Sequence, residues 1–170
     1  ELLSANPHAK VLAGGQSLLP LLNLRLARPS VLVDVSGIAE LDYIVESDGA
    51  IEIGAVTRKR TVEYSPLVRE RHPLLHTATC LIGHAPIRGR GTVGGSLAQA
   101  DPAAEYPALA VALGATLRVR GSSATRTIAA DDDIADAGLT VHTIYFMDEP
   151  ATTLAEIAGV LRPGGTLGLA

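Results

Sequence analysis

Apolar positions recur along this chain with two alternating periods, and the change of period marks the elements. Lys10-Val11-Leu12 predicts a short strand that runs straight into Ala13-Gly14-Gly15. Ser17 to Leu26 then carries Leu18, Leu19, Leu22 and Leu26 at helical spacing, with Ser17 as its expected N-cap and Pro20 tolerated in the first turn. Val31-Leu32-Val33-Asp34-Val35 reads as a buried-type strand. Tyr43-Ile44-Val45 and Ala50-Ile51-Glu52-Ile53-Gly54 flank Ser47-Asp48-Gly49, a hairpin signal. Thr57 is expected to cap a short helix rich in Arg and Lys, and Leu67 to Ile82 to hold a helix broken near Pro73. Ala103 to Leu113 predicts an Ala-rich helix stopped by Gly114. Ala115 to Arg120 and Ala124 to Ile128 predict paired strands. Local hairpins mixed with helices define an α+β fold.

Two glycine pairs interrupt this pattern: Ala13-Gly14-Gly15-Gln16-Ser17 and Thr92-Val93-Gly94-Gly95-Ser96. A glycine lets backbone approach a ligand where a Cβ would collide, and it accepts positive φ. Successive exposed N–H groups form an anion-binding nest, to which a following helix adds the positive end of its dipole. Two such loops would clasp a diphosphate from both sides. Each pair taken alone reads equally as a tight turn. Gly89-Arg90-Gly91-Thr92-Val93-Gly94 matches G-x-G-x-x-G, but His84-Ala85-Pro86-Ile87-Arg88 before it makes a poor strand, which excludes a Rossmann loop. No Lys-Ser/Thr follows either pair, so neither is a Walker A loop.

Composition narrows the function. Of 170 residues 47% are hydrophobic but only 3% aromatic, so the core is aliphatic. A formal net charge of −4 argues against a nucleic-acid partner. The one cysteine, Cys80, builds no disulfide, thiolate zinc site or iron–sulfur cluster, and a cytoplasmic setting fits. No apolar run is long enough to span a membrane. The opening at Glu1, in sequence that reads as mid-helix, is expected of a fragment or processed product. His72 and His76 are four residues apart, but Pro73 lies between them and no third ligand is evident. No Ser-His-Asp or Cys-His arrangement stands out.

The run Val11 to Leu26, with Ile82-Gly83-His84 and Ile87 to Glu105, resembles the FAD-binding medium subunit of molybdenum hydroxylases, the carbon monoxide dehydrogenase and xanthine dehydrogenase group. The resemblance covers about residues 1–133. It implies a truncated FAD-binding domain of the molybdopterin dehydrogenase (PCMH-like) type. Ala13, Gly14, Gly15, Gln16, Ser17 and Leu18 of the first loop, with Thr92, Gly94, Gly95 and Ser96 of the second, would then hold FAD at its pyrophosphate. Asp101 and Glu105 are each placed to accept a ribose or ribityl hydroxyl, or else to supply negative charge at the start of the following helix. His84 is as readily structural as a flavin contact, and Arg88 and Arg90 face either phosphate or solvent. The implied partners are a molybdopterin-binding large subunit, which hydroxylates substrate, and a [2Fe–2S] small subunit that relays electrons to the FAD. That role makes the chain part of an FAD-dependent oxidoreductase.

Beyond Asp131-Asp132-Asp133 the character changes. Leu139 to Phe146 predicts a strand, Thr153 to Leu161 a helix, and Thr166 to Leu169 another strand. Glu156 to Gly165 is similar to a segment of class I S-adenosylmethionine methyltransferases, without the Gly-rich cofactor loop that should precede it. Two pieces are therefore expected, residues 1–133 and a βαβ fragment over 134–170. An ordinary βαβ end to the flavin subunit is the alternative. A methyltransferase fragment fused to a non-functional flavin domain, or a non-catalytic interaction module, are the competing functional readings.

Overall fold

The structure, a computed structural model, describes residues 2–101, 103–121, 124–130 and 141–147. After the short helix α1 (Leu2–Ala5), strand β1 (Lys10–Leu12) runs parallel to β2 (Leu32–Asp34), with Val11 opposite Val33. Helix α2 (Leu18–Asn23) connects them. It is shorter than its apolar spacing predicts, because Leu24 closes it and Arg25 turns left-handed at φ 57°. Ser17 precedes α2 but makes no capping hydrogen bond. No residue of α2 is buried, and Leu26 lies 72% exposed beyond the helix end.

A single 3₁₀ turn over Ala39–Leu41 leads to the hairpin β3 (Ile44–Ser47) and β4 (Ala50–Gly54). Asp48 and Gly49 both have positive φ, 52° and 78°, as a two-residue turn matched to strand twist requires. Thr57 does not cap the next helix. It is fully buried, and its hydroxyl donates to the Tyr43 carbonyl and accepts from the Tyr43 N–H, both at 3.0 Å. Arg58 takes the cap position of α3 (Lys59–Tyr64). Helices α4 (Pro66–Arg71) and α5 (Pro73–Leu81) follow. The break falls where Pro73 lacks the N–H to continue, and the Ser65 side chain accepts from Val68 N to start α4. Then come α6 (Ala85–Arg88), α7 (Val93–Gln99) and α8 (Glu105–Ala112), with Gly114 at φ 57° past the last.

Strands β5 (Thr116–Arg120) and β6 (Thr125–Ala129) pair as expected. The larger sheet has the order β3-β4-β7-β5-β6, where β7 spans Val141–Met147. One core unites this sheet with α3, α4, α5, α7 and α8. Ile51, Ile53, Val62, Val68, Leu75, Val93, Leu97, Leu117 and Val119 are at most 1% exposed. The aliphatic composition is thus realised directly, with Tyr106 as the one aromatic of the cluster. Its hydroxyl lies 2.9 Å from Thr79 Oγ1, which satisfies a buried polar group.

Strand β7 lies beyond the expected division at residue 133, and it pairs antiparallel on both edges with strands that precede that division. Ile53 stands opposite Ile144, and Thr116 opposite Tyr145. The methyltransferase-like stretch over 156–165 lies outside the described residues. Removing β7 would leave β4 and β5 without a shared neighbour and strip their ladder hydrogen bonds. A chain ending at residue 133 is therefore expected to lose its cooperative thermal transition, followed by circular dichroism, whereas one ending at Met147 keeps it. Equal melting of the two would show that β7 contributes nothing to the sheet.

Candidate functional site

The two glycine loops meet. Loop one leaves β1 at Ala13, and loop two leaves α6 at Gly89 and enters α7 at Val93. A Cβ on Gly14 would collide with the carbonyl oxygen of Arg90 and stand 2.8 Å from Gly91 Cα. On Gly94 it would stand 2.7 Å from the Cβ and O of Ala55, just past the end of β4. These two glycines are demanded by chain-on-chain contact. Gly15 is demanded by its backbone, at φ 72°.

Loop two is tied down throughout. Val93 N donates to Thr57 O, Gly94 N to Ala55 O, and Gly95 N to the Thr92 hydroxyl at 3.2 Å. Lys59 N donates to Gly91 O, and the Arg58 guanidinium donates to the carbonyls of Gly89 and Arg90 at 3.3 and 3.0 Å. Arg88 forms an ion pair with Glu63 at 2.9 Å and also donates to the carbonyls of Ile82 and Gly83. The guanidinium holds the Glu63 carboxyl below the usual carboxylate range. Arg88 is thus a strut of the loop, not a group facing phosphate.

Loop one is the opposite. The N–H groups of Gly14, Gly15, Gln16, Ser17 and Leu18 donate to no acceptor among the described residues. The Gln16 side chain folds back to donate to Gly14 O at 3.0 Å. All five residues line the cavity described next, so these donors are available to an anion there.

A cavity of about 450 Å³ lies between the loops. Ala13, Gly14, Gly15, Gln16, Ser17, Leu18, Thr92, Gly94, Gly95 and Ser96 all line it. Asp101 and Glu105 do not, and both are exposed. Asp101 Oδ1 instead accepts from Ala103 N at 2.9 Å, a turn-forming contact, and Glu105 stands in the first turn of α8. The wall also holds Leu3, Val11, Val35, Leu41 and Val56, which make it partly apolar. It carries two cations, Lys10 and Lys59, and no carboxylate. Sequence reasoning missed both lysines, because Lys59 sits in a run, Arg58-Lys59-Arg60, that reads as a solvated helix face. Thr92 is 3% exposed, and its hydroxyl, having accepted from Gly95, still has its own proton to donate. His84 and Arg90 are exposed and off the wall. No metal-binding group of three or more His, Cys, Asp or Glu exists among the described residues, and no helix there is long and apolar enough to cross a membrane.

N–H groups without an acceptor, an acid-free wall and a partly apolar cavity are chemically suited to an organic anion. The chain belongs to the family described as FAD binding domain in molybdopterin dehydrogenase, which matches residues 1–144. It is 43% identical over 123 residues to the carbon monoxide dehydrogenase medium chain of Hydrogenophaga pseudoflava, covering 72% of this chain and 43% of that one. The glyceraldehyde dehydrogenase medium chain of Sulfolobus acidocaldarius is 38% identical over 130 residues, 76% of this chain and 46% of its own length. Among solved structures, quinoline 2-oxidoreductase from Pseudomonas putida 86 superposes with a TM-score of 0.83 at 37% identity, covering 87% of this chain and 54% of that one. The chain thus spans about half the length of the relatives it matches.

The packing makes a direct prediction. Gly94→Ala forces a methyl into the Ala55 backbone and is expected to lower stability by about 1–3 kcal/mol. Gly37→Ala, at a position with nothing within 4 Å of the added carbon, is expected to stay within about 0.5 kcal/mol of the parent. Urea midpoints check both; equal midpoints for the two variants would contradict the close approach of loop two to Ala55.

Proposed function

We propose that this chain is the FAD-holding part of the medium subunit of a molybdenum hydroxylase. The observation that carries this reading is the run of five N–H groups in loop one that find no acceptor among the described residues, on a loop that shares the cavity wall with loop two. A dinucleotide needs a cradle for its diphosphate and an apolar wall for its rings, and both are present. The glycines support the site indirectly: Gly14 and Gly94 let the loops pack on Arg90 and Ala55, and Gly15 takes the left-handed backbone of loop one.

FAD, when bound, accepts and passes on electrons; the protein binds and orients it and sets its potential. Loop one would hold the diphosphate through its N–H groups, and Thr92 and Ser96 would add hydroxyl donors from loop two. Asp101 and Glu105 lie off the wall, so a hydrogen bond from either to a ribose or ribityl hydroxyl requires a part of the cofactor that reaches beyond the cavity. The sequence's single cysteine cannot ligate a [2Fe–2S] cluster, which takes four protein ligands. We assign the clusters to a small partner subunit and substrate hydroxylation to a molybdopterin-binding large subunit. The relatives named as medium chains or subunits, including the nicotine 6-hydroxylase medium subunit of Paenarthrobacter nicotinovorans, support such a complex. Its setting is cytoplasmic.

We further propose that the flavin domain runs through β7, so that any join to a methyltransferase-like tail lies past Met147. Support comes from the pairing of β7 and from a family match that reaches residue 144.

Calorimetric titration with FAD and with S-adenosylmethionine tests the assignment. Heat with FAD and none with S-adenosylmethionine is expected. Gly15→Val, at φ 72°, adds a β-branched side chain to a left-handed residue and is expected to weaken FAD at least tenfold while the circular dichroism spectrum persists. Heat with S-adenosylmethionine alone would overturn the flavin reading.

A further inference from the structure

Lys59 is a buried cation with no anion of its own. It is the first residue of α3 and only 8% exposed. Its backbone is held by Gly91 O at 2.9 Å, and its Cδ and Cε would lie 3.5 Å from a Cβ on Gly91, so the stem packs flat against loop two. Nζ stands 5.0 Å from the centre of the Tyr106 ring. No carboxylate reaches it within ion-pair distance among the described residues. The side chain lines the cavity, whose wall holds no acid.

Such a placement is unfavourable in isolation. An ammonium removed from water loses hydration that a ring face replaces only in part. Burial pushes the Lys59 ammonium below the ordinary lysine value, with the exposed Glu105 opposing that shift. The N–H groups of loop one on the same cavity wall are neutral donors and bring partial charges only. A ligand with full negative charge balances the site electrostatically, and the diphosphate of a dinucleotide carries two such charges in the span between the loops.

We propose that Lys59 supplies the full positive charge that holds the cofactor diphosphate between the two glycine loops, an assignment that rests on the flavin reading above. Lys10, the other lysine on the wall, is exposed, so water and salt screen it. Lys59 acts from a desolvated position and is screened far less. Because its backbone is bonded to Gly91, its position is coupled to loop two. Loop one then contributes the donors, and α3 contributes the charge.

The test is equilibrium binding of FAD and of ADP to the full chain and to Lys59→Met and Lys59→Arg, each checked by circular dichroism. Lys59→Met keeps the length and apolar stem and removes only the charge. It is expected to weaken both FAD and ADP by about ten- to a hundredfold, the scale of a lost charge-assisted hydrogen bond. Lys59→Arg is expected to recover most of that loss. Binding by Lys59→Met that equals the parent overturns the assignment, as does Lys59→Arg as weak as Lys59→Met, which would mark a role in shape alone. Should Lys59→Met fail to fold, Lys59→Gln takes its place with the same two outcomes: weakened FAD and ADP binding upholds the charge, and parental binding overturns it. A parent chain that binds no FAD overturns the flavin reading itself, whereas parent binding matched by Lys59→Met removes only the role given to Lys59.

Discussion

The cavity exists because two backbones touch. Gly14 lies against the Arg90 carbonyl and the Gly91 Cα, and no side chain separates the loops there. Everything that stabilises loop two serves this contact. Arg58 grips the carbonyls of Gly89 and Arg90 from α3, while Arg88 anchors α6 to Glu63. Gly94 seats α7 on Ala55 at the end of β4, so the site is fixed to the main sheet rather than to a mobile surface turn. Rigid support of this kind pre-pays the ordering cost of a ligand contact.

The two loops look alike in sequence and differ in chemistry. In loop two nearly every donor is used: Val93, Gly94, Gly95 and Ser96 all bond inside the protein. In loop one five donors in a row remain unpaired. Loop two is therefore a wall that sets distance, and loop one is the surface that binds. Backbone donors left unpaired at the edge of a cavity cost stability unless water or a ligand takes them. The same cost applies to Lys59, and both are relieved by the same kind of partner, an anion.

Much of this was legible in residue order. The Asp48-Gly49 turn demands positive φ twice and has it. Pro73 splits α4 from α5 as its missing N–H requires. The ten loop positions converge on one cavity because the glycines that bring the loops together are themselves the signal. Other features depended on tertiary partners that spacing does not encode. Thr57 resembles a helix cap in sequence, yet Tyr43, fourteen residues earlier, captures its hydroxyl. The leucines of α2 fall at helical spacing, yet none of them is buried. Lys59 lies between two arginines and is buried while Arg60 is exposed. The strand expected over Leu139 to Phe146 forms as β7, but its place between β4 and β5, across the apparent change of character near residue 133, is not encoded in local pattern.

The claim that loop one binds and loop two frames is tested most directly by residue-resolved amide hydrogen exchange with and without FAD. Without ligand, the N–H groups of Gly14 to Leu18 should exchange rapidly, and those of Val93 and Gly94 should be protected by their bonds to Thr57 and Ala55. FAD should slow exchange at Gly14 to Leu18 and leave Val93 and Gly94 nearly unchanged. Protection that appears on Val93 and Gly94 while Gly14 to Leu18 stay fast would contradict the account.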